Sequence, residues 1–144
     1  MRDHLRLLLF AFWCCSIALS ARADDDESLG AKLRCEPALS VGRVRCSLSL
    51  TAPPGSRFSW VDALVVKTPP FARALRTRVA QPVKPNQSQI ELALGLVASG
   101  EGTALLSVRA RAVVCPTANE RVRCRALTRV ETLELRVGAG PAPP

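Results

Sequence analysis

The sequence predicts an all-β protein, built as an antiparallel β-sandwich of about seven to eight short strands. Two observations carry this prediction. Apolar and polar residues alternate along most of the chain, and turn-forming clusters rich in Gly and Pro recur between the alternating segments. No segment shows the helical spacing of apolar residues over the roughly 11 positions that an amphipathic helix needs.

The first half of the chain contains three predicted strands and one ambiguous segment. Ala31–Glu36 and Gly42–Thr51 alternate strictly, so each is expected to have one buried and one polar face. Phe58–Lys67 is apolar at nearly every position, as in a strand covered on both sides. Phe71–Ala80 fits either a strand or an irregular segment with one helical turn.

The second half contains the clearest alternation. Gln89–Val97 and Thr103–Cys115 flank a short Gly-containing connection, and we expect them to pair as an antiparallel hairpin. Arg121–Leu127 and Val130–Val137 are the last predicted strands. Their apolar positions have opposite parity, which predicts a β-bulge or a break near Thr128. Together the elements favour an immunoglobulin-like sandwich over a barrel.

The first 23 residues have the organisation of a cleaved signal peptide. A basic start precedes an apolar run, and Ala21-Arg22-Ala23 provides a cleavage site between small residues. We expect an acidic disordered tail (24–30), one sandwich domain (31–137) and a disordered C-terminal tail (138–144), in a secreted or periplasmic monomer. No apolar run after the signal peptide reaches the roughly 20 residues of a membrane span.

The four cysteines after the expected cleavage site predict two disulfides. Four cysteines allow three pairings, and the strand pattern favours the sequence-local one, Cys35–Cys46 with Cys115–Cys124. Cys35 and Cys46 lie on the apolar parity of their strands, so we expect a buried, structural bond. Cys115 lies on the polar parity at a strand end and Cys124 lies among arginines, so we expect this bond to be partly exposed and easier to exchange.

The C-terminal third resembles part of a periplasmic redox family. Val108–Cys115, a turn, Val122-Arg123-Cys124 and Thr132–Val137 are together similar to the end of the immunoglobulin-like N-terminal domain of DsbD-type thiol:disulfide interchange proteins. In that family, two cysteines that flank a turn between the last strands pass electrons to partner proteins. The resemblance implies that Cys115 and Cys124 are candidates for redox exchange.

The composition argues against most catalytic chemistry after residue 23. The single His is His4, so histidine-dependent nucleophilic triads and the common zinc sites are excluded there. The sequence contains no P-loop and no dinucleotide fingerprint. Asp62 is unusual because it lies inside an apolar strand, and we expect it to pair with an arginine or to cap backbone N–H groups. We therefore expect no enzyme activity, no cofactor and no metal.

The chain has 20 basic and 12 acidic side chains and a formal net charge of +8. Arginines alternate with apolar residues and do not form one basic run, so we expect no specific binding of nucleic acid. The function that the sequence favours is an exported, non-catalytic binding or structural module with a protein or envelope partner. Two alternatives stay open: thiol–disulfide exchange through Cys115 and Cys124, and arginine-mediated binding of anionic envelope components.

Overall fold

The computed structural model describes residues 28–118 and 123–138. The expected signal peptide, most of the expected acidic tail and nearly all of the expected C-terminal tail lie outside the described residues. The described chain contains eight β-strands and no helix. The strands are β1 (Gly30–Cys35), β2 (Gly42–Thr51), β3 (Ser56–Lys67), β4 (Ala72–Ala74), β5 (Arg78–Ala80), β6 (Gln89–Ala98), β7 (Gly102–Pro116) and β8 (Arg125–Val137).

The strands form two antiparallel sheets of four strands each. Sheet A has the order β1-β2-β6-β4, and sheet B has the order β5-β3-β7-β8. After β1 the chain crosses towards the other sheet, where Ala38 pairs in parallel with Val137 at the end of β8. This arrangement confirms the expected immunoglobulin-like β-sandwich.

The core lies between the two sheets and consists of the inward-facing residues of each strand. Leu48 and Leu92 of sheet A and Val108 and Ala110 of sheet B have no exposed surface. The inward residues of sheet A are mainly leucines, whereas those of sheet B are mainly Val and Ala. Larger side chains on one sheet therefore face smaller ones on the other, which lets the two layers interdigitate.

The predicted hairpin between the strands now identified as β6 and β7 is wrong. β6 pairs with β2 and β4, whereas β7 pairs with β3 and β8, so the connection between them crosses from sheet A to sheet B. Phe71 holds this connection: its carbonyl accepts a hydrogen bond from the Ser99 N–H (2.8 Å), and its ring lies against Gly102. A Cβ at Gly102 would come within 3.0 Å of that ring. Strict alternation occurs in both arrangements, so it does not distinguish a hairpin from a crossing.

The predicted bulge or break near Thr128 is also wrong. β8 pairs with β7 in one continuous register from Arg125 to Val137. The apolar positions appeared to change parity because the predicted strand Arg121–Leu127 included Cys124, which precedes the start of β8. Register shifts occur in β3 instead, between Phe58 and Trp60 and again near its end.

The ambiguous segment after β3 forms two short strands in different sheets. β4 pairs with β6 in sheet A, and β5 pairs with β3 in sheet B. The sandwich also extends beyond the expected limits of 31–137. Leu29 is only 2% exposed and Gly30 begins β1, while the Gly138 N–H donates a hydrogen bond to the Ala38 carbonyl (2.8 Å).

Candidate functional site

Asp62 lies on the outer face of sheet B, yet it has no exposed surface. The register of β3 places it between Ala80 on β5 and Arg111 on β7. Arg111 donates from Nε to Oδ1 (2.8 Å) and from Nη2 to Oδ2, and Arg78 donates from Nε to Oδ2 (2.7 Å). The carboxylate is therefore held by arginines from both neighbouring strands, in line with the expectation that it pairs with an arginine.

The protonation of Asp62 follows from these contacts. Hydrogen bonding from Arg111 lowers the pKa of the carboxyl below its ordinary value, and Arg78 acts in the same direction, whereas burial opposes them. The same hydrogen bond raises the pKa of Arg111. Asp62 is therefore ionised throughout the neutral pH range and orients both guanidinium groups.

Trp60 lies beside this cluster and covers part of it. The Cζ atoms of Arg111 and Arg78 lie 5.5 Å and 6.0 Å from the centre of the indole ring, which is the geometry of a cation–π contact. Residues 58 and 60 would share one face in a regular strand. The register shift between them instead buries Phe58 (3% exposed) in the core and leaves Trp60 37% exposed on the outside.

Further apolar side chains surround the cluster on the same outer face. Leu64 and Val113 are partly exposed and Val130 is 50% exposed. Arg109 lies opposite Leu64 on one side and Val130 on the other, and it adds a third arginine. We call this surface the Trp60 face, and it consists of Trp60, Leu64, Arg78, Arg109, Arg111, Val113 and Val130.

The outer face of sheet A has a different character. Its exposed cations project from β1, β2 and β4, with Glu91, Val97 and small or hydroxyl side chains between them, and Leu75 packs over Gly95. Arg45 lies 4.0 Å from Glu36, and both side chains are mostly exposed. We call this surface the basic face, and it consists of Lys32, Arg34, Arg43, Arg45 and Arg73.

Each disulfide lies at the loop end of a pair of consecutive strands. Cys35 and Cys46 are bonded directly across the β1–β2 ladder, with their Cα atoms 3.9 Å apart. Cys115 at the end of β7 is bonded to Cys124, which precedes β8, with a Cα separation of 4.2 Å. These are the pairings that the sequence favoured.

The surroundings of the four sulfur atoms differ in part from the expectation. Cys46 is 6% exposed, whereas Cys35 is only half-buried. Cys115 is 9% exposed although it lies on the polar parity of β7, and its bonded partner Cys124 is exposed. The second disulfide therefore joins one exposed residue to one buried residue.

An open groove lies beside Cys115. Phe58, Lys84 and Cys115 line it together with Arg57, whose Nη1 donates a hydrogen bond to the Asn86 Oδ1 (3.3 Å). The lining of the groove thus includes two basic side chains. The Cys115–Cys124 bond and the Trp60 face are the two candidate functional sites.

Sequence reasoning identified Asp62 but missed Trp60 and its two arginines as one group. The available signal was Trp60 and Asp62 two residues apart in an apolar strand, with outward arginines on β7. Arg78 lay in the ambiguous segment, so its position beside Asp62 was not visible. Within residues 28–118 and 123–138, no three His, Cys, Asp or Glu side chains are grouped as a metal site would require. The described part of the chain also lacks a helix long and apolar enough to cross a membrane.

No protein-family model and no curated protein matches this chain. Among solved structures, it is similar to AggA, the major subunit of aggregative adherence fimbriae type I from Escherichia coli, with 10% identity and a TM-score of 0.39 over 76% of this chain and 95% of that one. It is also similar to the ASH/PapD-like domain 7 of human CEP192, with 10% identity and a TM-score of 0.43 over 88% of this chain and 97% of that one. Likenesses at this level carry no inference about function.

Proposed function

We propose that this protein is a non-catalytic binding module and that the Trp60 face is its contact surface. One observation carries the proposal: a partly exposed indole ring stacks against two arginines that a fully buried carboxylate, Asp62, holds in place. Tryptophan and arginine are the residue types that contribute most to binding energy at protein interfaces. Two disulfides are typical of an oxidising compartment, so we place the module outside the cytoplasm, as a secreted or periplasmic protein.

The ion pair with Asp62 prepares the arginines for binding. A long side chain that a partner immobilises costs about 0.5–1.5 kcal/mol of rotamer entropy. Arg78 and Arg111 are already oriented in this structure, so much of that cost is absent when a partner binds. Arg78 contacts Asp62 through Nε. Because a guanidinium has five N–H donors, its remaining donors are available to a ligand.

The charges and apolar residues of the Trp60 face indicate the chemistry of its partner. Arg78, Arg109 and Arg111 outnumber the single carboxylate of Asp62, so the surface has a positive excess. Leu64, Val113 and Val130 supply apolar contact area between these charges. We infer that the partner is a protein whose contact surface combines acidic and apolar side chains.

Site-specific photocrosslinking tests this proposal and also identifies the partner. A photoreactive amino acid in place of Leu64 should capture the partner, whereas the same amino acid in place of Val97, on the outer face of sheet A, should not. The captured protein is then identified by mass spectrometry, produced in pure form and titrated against variants. We expect Trp60→Ala to weaken binding at least about 30-fold, as for a central interface residue.

The matched control in these titrations is the Arg43→Gln/Arg45→Gln variant of the basic face. It removes two positive charges but should leave the affinity within about twofold, because exposed, unanchored charges contribute little. Loss of binding in this variant with no effect of Trp60→Ala would transfer the binding site to the basic face.

A second candidate function is thiol–disulfide exchange at Cys115–Cys124, and the exposure of Cys124 favours it. An incoming thiolate would form a bond to the Cys124 sulfur and break the existing S–S bond, and Cys115 would leave as a thiolate. Arg57 lies opposite Cys115 in the β3–β7 ladder, and a neighbouring cation stabilises a thiolate. Equilibration against glutathione tests this candidate. A potential near −200 mV or above would support exchange, whereas one near or below about −300 mV indicates a structural bond.

A further inference from the structure

β8 is the longest edge strand of the described chain. It spans 13 residues, whereas the other edge strands β1, β4 and β5 span six, three and three. Among the described residues, β8 pairs with β7 along one side. On its other side, in the same part of the chain, its one backbone bridge is that of Val137 with Ala38, and β1 of sheet A approaches it without pairing. β8 contains neither Pro nor Gly, and its register with β7 has no bulge. It therefore lacks a proline and a bulge, two of the features that prevent an edge from pairing with another strand, and its edge protection consists of charged side chains.

The centre of β8 is self-complementary. Residues 127–133 read LTRVETL, a palindrome in which Arg129 and Glu131 occupy equivalent positions. In an antiparallel pair of two such strands centred on Val130, leucine faces leucine, threonine faces threonine, and each Arg129 faces the Glu131 of the other chain. Directly opposed residues of this kind stabilise a pair of strands, and like charges in the same places destabilise it.

We propose that a second copy of this chain binds at the β8 edge, by antiparallel β8–β8 pairing centred on Val130. Val130 is 50% exposed in the single chain and would meet its own symmetry mate on the twofold axis. Leu127 and Leu133, which pack against the rim of the core, would become fully covered. An isologous contact of this kind closes a dimer, because each copy uses its β8 edge on the other.

Charge selects this register over its neighbours. If the twofold axis passed through residue 129 instead of residue 130, the two copies of Arg129 would lie opposite each other. If it passed through residue 131, the two copies of Glu131 would lie opposite each other. In the remaining registers, an odd-numbered residue of one copy lies opposite an even-numbered residue of the other. The second sheet is then turned over, so that core-facing side chains of one copy lie beside outward-facing side chains of the other. Within one chain, Arg129 Nε already donates to Glu131 Oε1 (3.1 Å). The pairing therefore builds an alternating cluster of four charges.

The dimer would join the two B sheets into one continuous sheet of eight strands, with both Trp60 faces on the same side. This inference does not depend on the function proposed for the Trp60 face, and it replaces the monomer expected from the sequence. Its failure would leave that proposed function untouched, because Val130 is the one residue of the Trp60 face that takes part in the contact.

Sedimentation equilibrium of the purified protein over a wide concentration range tests the proposal. We expect a concentration-dependent dimer for the unmodified protein. Arg129→Glu alone and Glu131→Arg alone should each raise the dissociation constant about tenfold or more, because each places like charges opposite each other at two sites. A mixture of these two variants should form a heterodimer, and the double variant Arg129→Glu/Glu131→Arg should dimerise again.

This charge-swap series separates the proposed contact from a folding defect, since a misfolded variant would not recover on mixing. A protein that stays monomeric at every concentration would overturn the proposal. The same conclusion would follow if the single variants dimerised as well as the unmodified protein, or if the mixture stayed monomeric.

Disulfide trapping provides a second readout of the register. On the twofold axis, the two copies of residue 130 have Cα atoms about 4.5–5.5 Å apart, within reach of a disulfide. Val130→Cys should therefore give an oxidised dimer on a non-reducing gel. Thr132→Cys is the matched control, because its two copies lie about 14 Å apart along the strands and should not crosslink. Equal crosslinking of both variants would contradict the proposed register.

Discussion

The outer faces of sheets A and B both carry arginines, but in different settings. On the basic face, Arg34, Arg43 and Arg45 are exposed to solvent and have no buried carboxylate beside them among the described residues. On the Trp60 face, two of three arginines are bonded to a buried carboxylate and stacked on an indole ring. The number of arginines therefore does not distinguish the two faces. Their anchoring does, because it fixes the orientation of the guanidinium groups.

The physical origin of the difference is the solvent exposure of the acidic partner. Arg45 and Glu36 are 4.0 Å apart and both mostly exposed, and such surface pairs contribute little to stability. Asp62 is fully buried, so both of its arginines are needed to compensate its lost hydration. The buried carboxylate therefore fixes the orientation of its two arginines, whereas the exposed carboxylate of Glu36 does not.

The largest expected effect is the loss of stability on removing the buried carboxylate. Asp62→Ala would leave Arg78 and Arg111 close together without compensation and create a void in the sheet. We expect the free energy of unfolding to fall by about 2–3 kcal/mol, somewhat less than for a fully buried pair because both arginines reach solvent. Glu91→Ala on the basic face is the control and should change it by no more than about 0.5 kcal/mol. Urea unfolding followed by fluorescence measures both, and equal effects would invalidate the distinction between the faces.

A smaller effect is expected when the guanidinium fork is replaced by an ammonium group. Arg111→Lys keeps the positive charge but loses the two-point contact with Asp62 and the stacking on Trp60. We expect a loss of about 1 kcal/mol in the free energy of unfolding, against no measurable change for Arg43→Lys. If both substitutions are neutral, the Trp60 face is no better anchored than the basic face.

The pH dependence of the free energy of unfolding should reflect the ion pairing of Asp62 with Arg111 and Arg78. Because Arg111 and Arg78 lower the pKa of Asp62 in the folded state, its stabilisation is complete above the ordinary carboxyl pKa of about 4 and is lost as the pH falls through the lowered value. The stability advantage of the unmodified protein over Asp62→Asn should therefore shrink below about pH 4. Thermal unfolding at a series of pH values tests this, and curves that stay parallel in acid would refute it.

The smallest effect is expected for the binding of polyanions to the basic face. Arginines that are spread over a sheet without aromatic neighbours give weak binding dominated by counterion release. Affinity for a single-stranded oligonucleotide or lipopolysaccharide should be detectable at low salt and should disappear near 0.15 M. Tight binding that persists at that salt concentration would make anionic envelope components the better-supported ligands.

Features that depend on local periodicity could be predicted from the sequence. The limits of β2 were predicted as the structure has them, and the sandwich class followed from alternation along the whole chain. The pairing of Asp62 with an arginine was also expected, because a lone carboxylate in an apolar strand requires compensation. Each of these conclusions needs only neighbouring residues and the cost of burying charge.

Features that depend on which strands pair could not be predicted in this way. Apolar and polar residues alternate along β6 and β7 as they do in a hairpin. However, β6 belongs to sheet A and β7 to sheet B, so their apolar faces enter the core from opposite sides. The composition of the Trp60 face depends on a register shift near Phe58 and on the placement of the short strand β5, and both arise from tertiary packing. The burial of Cys115 on a polar parity has the same origin, because loops and neighbouring strands cover that end of sheet B.

The positions of the two disulfides have a consequence for the order of events when the chain folds from its N-terminus. β1–β2 and β7–β8 are the pairs formed by consecutive strands in the described chain, and each has a disulfide at its loop end. Cys35 and Cys46 can therefore be joined before β6, the second partner of β2, has been synthesised. Once Cys35 and Cys46 are joined, Cys124 is the one partner that remains for Cys115 among these four cysteines. Formation of the first bond before Cys115 enters the oxidising compartment would therefore give the correct pairing without later reshuffling.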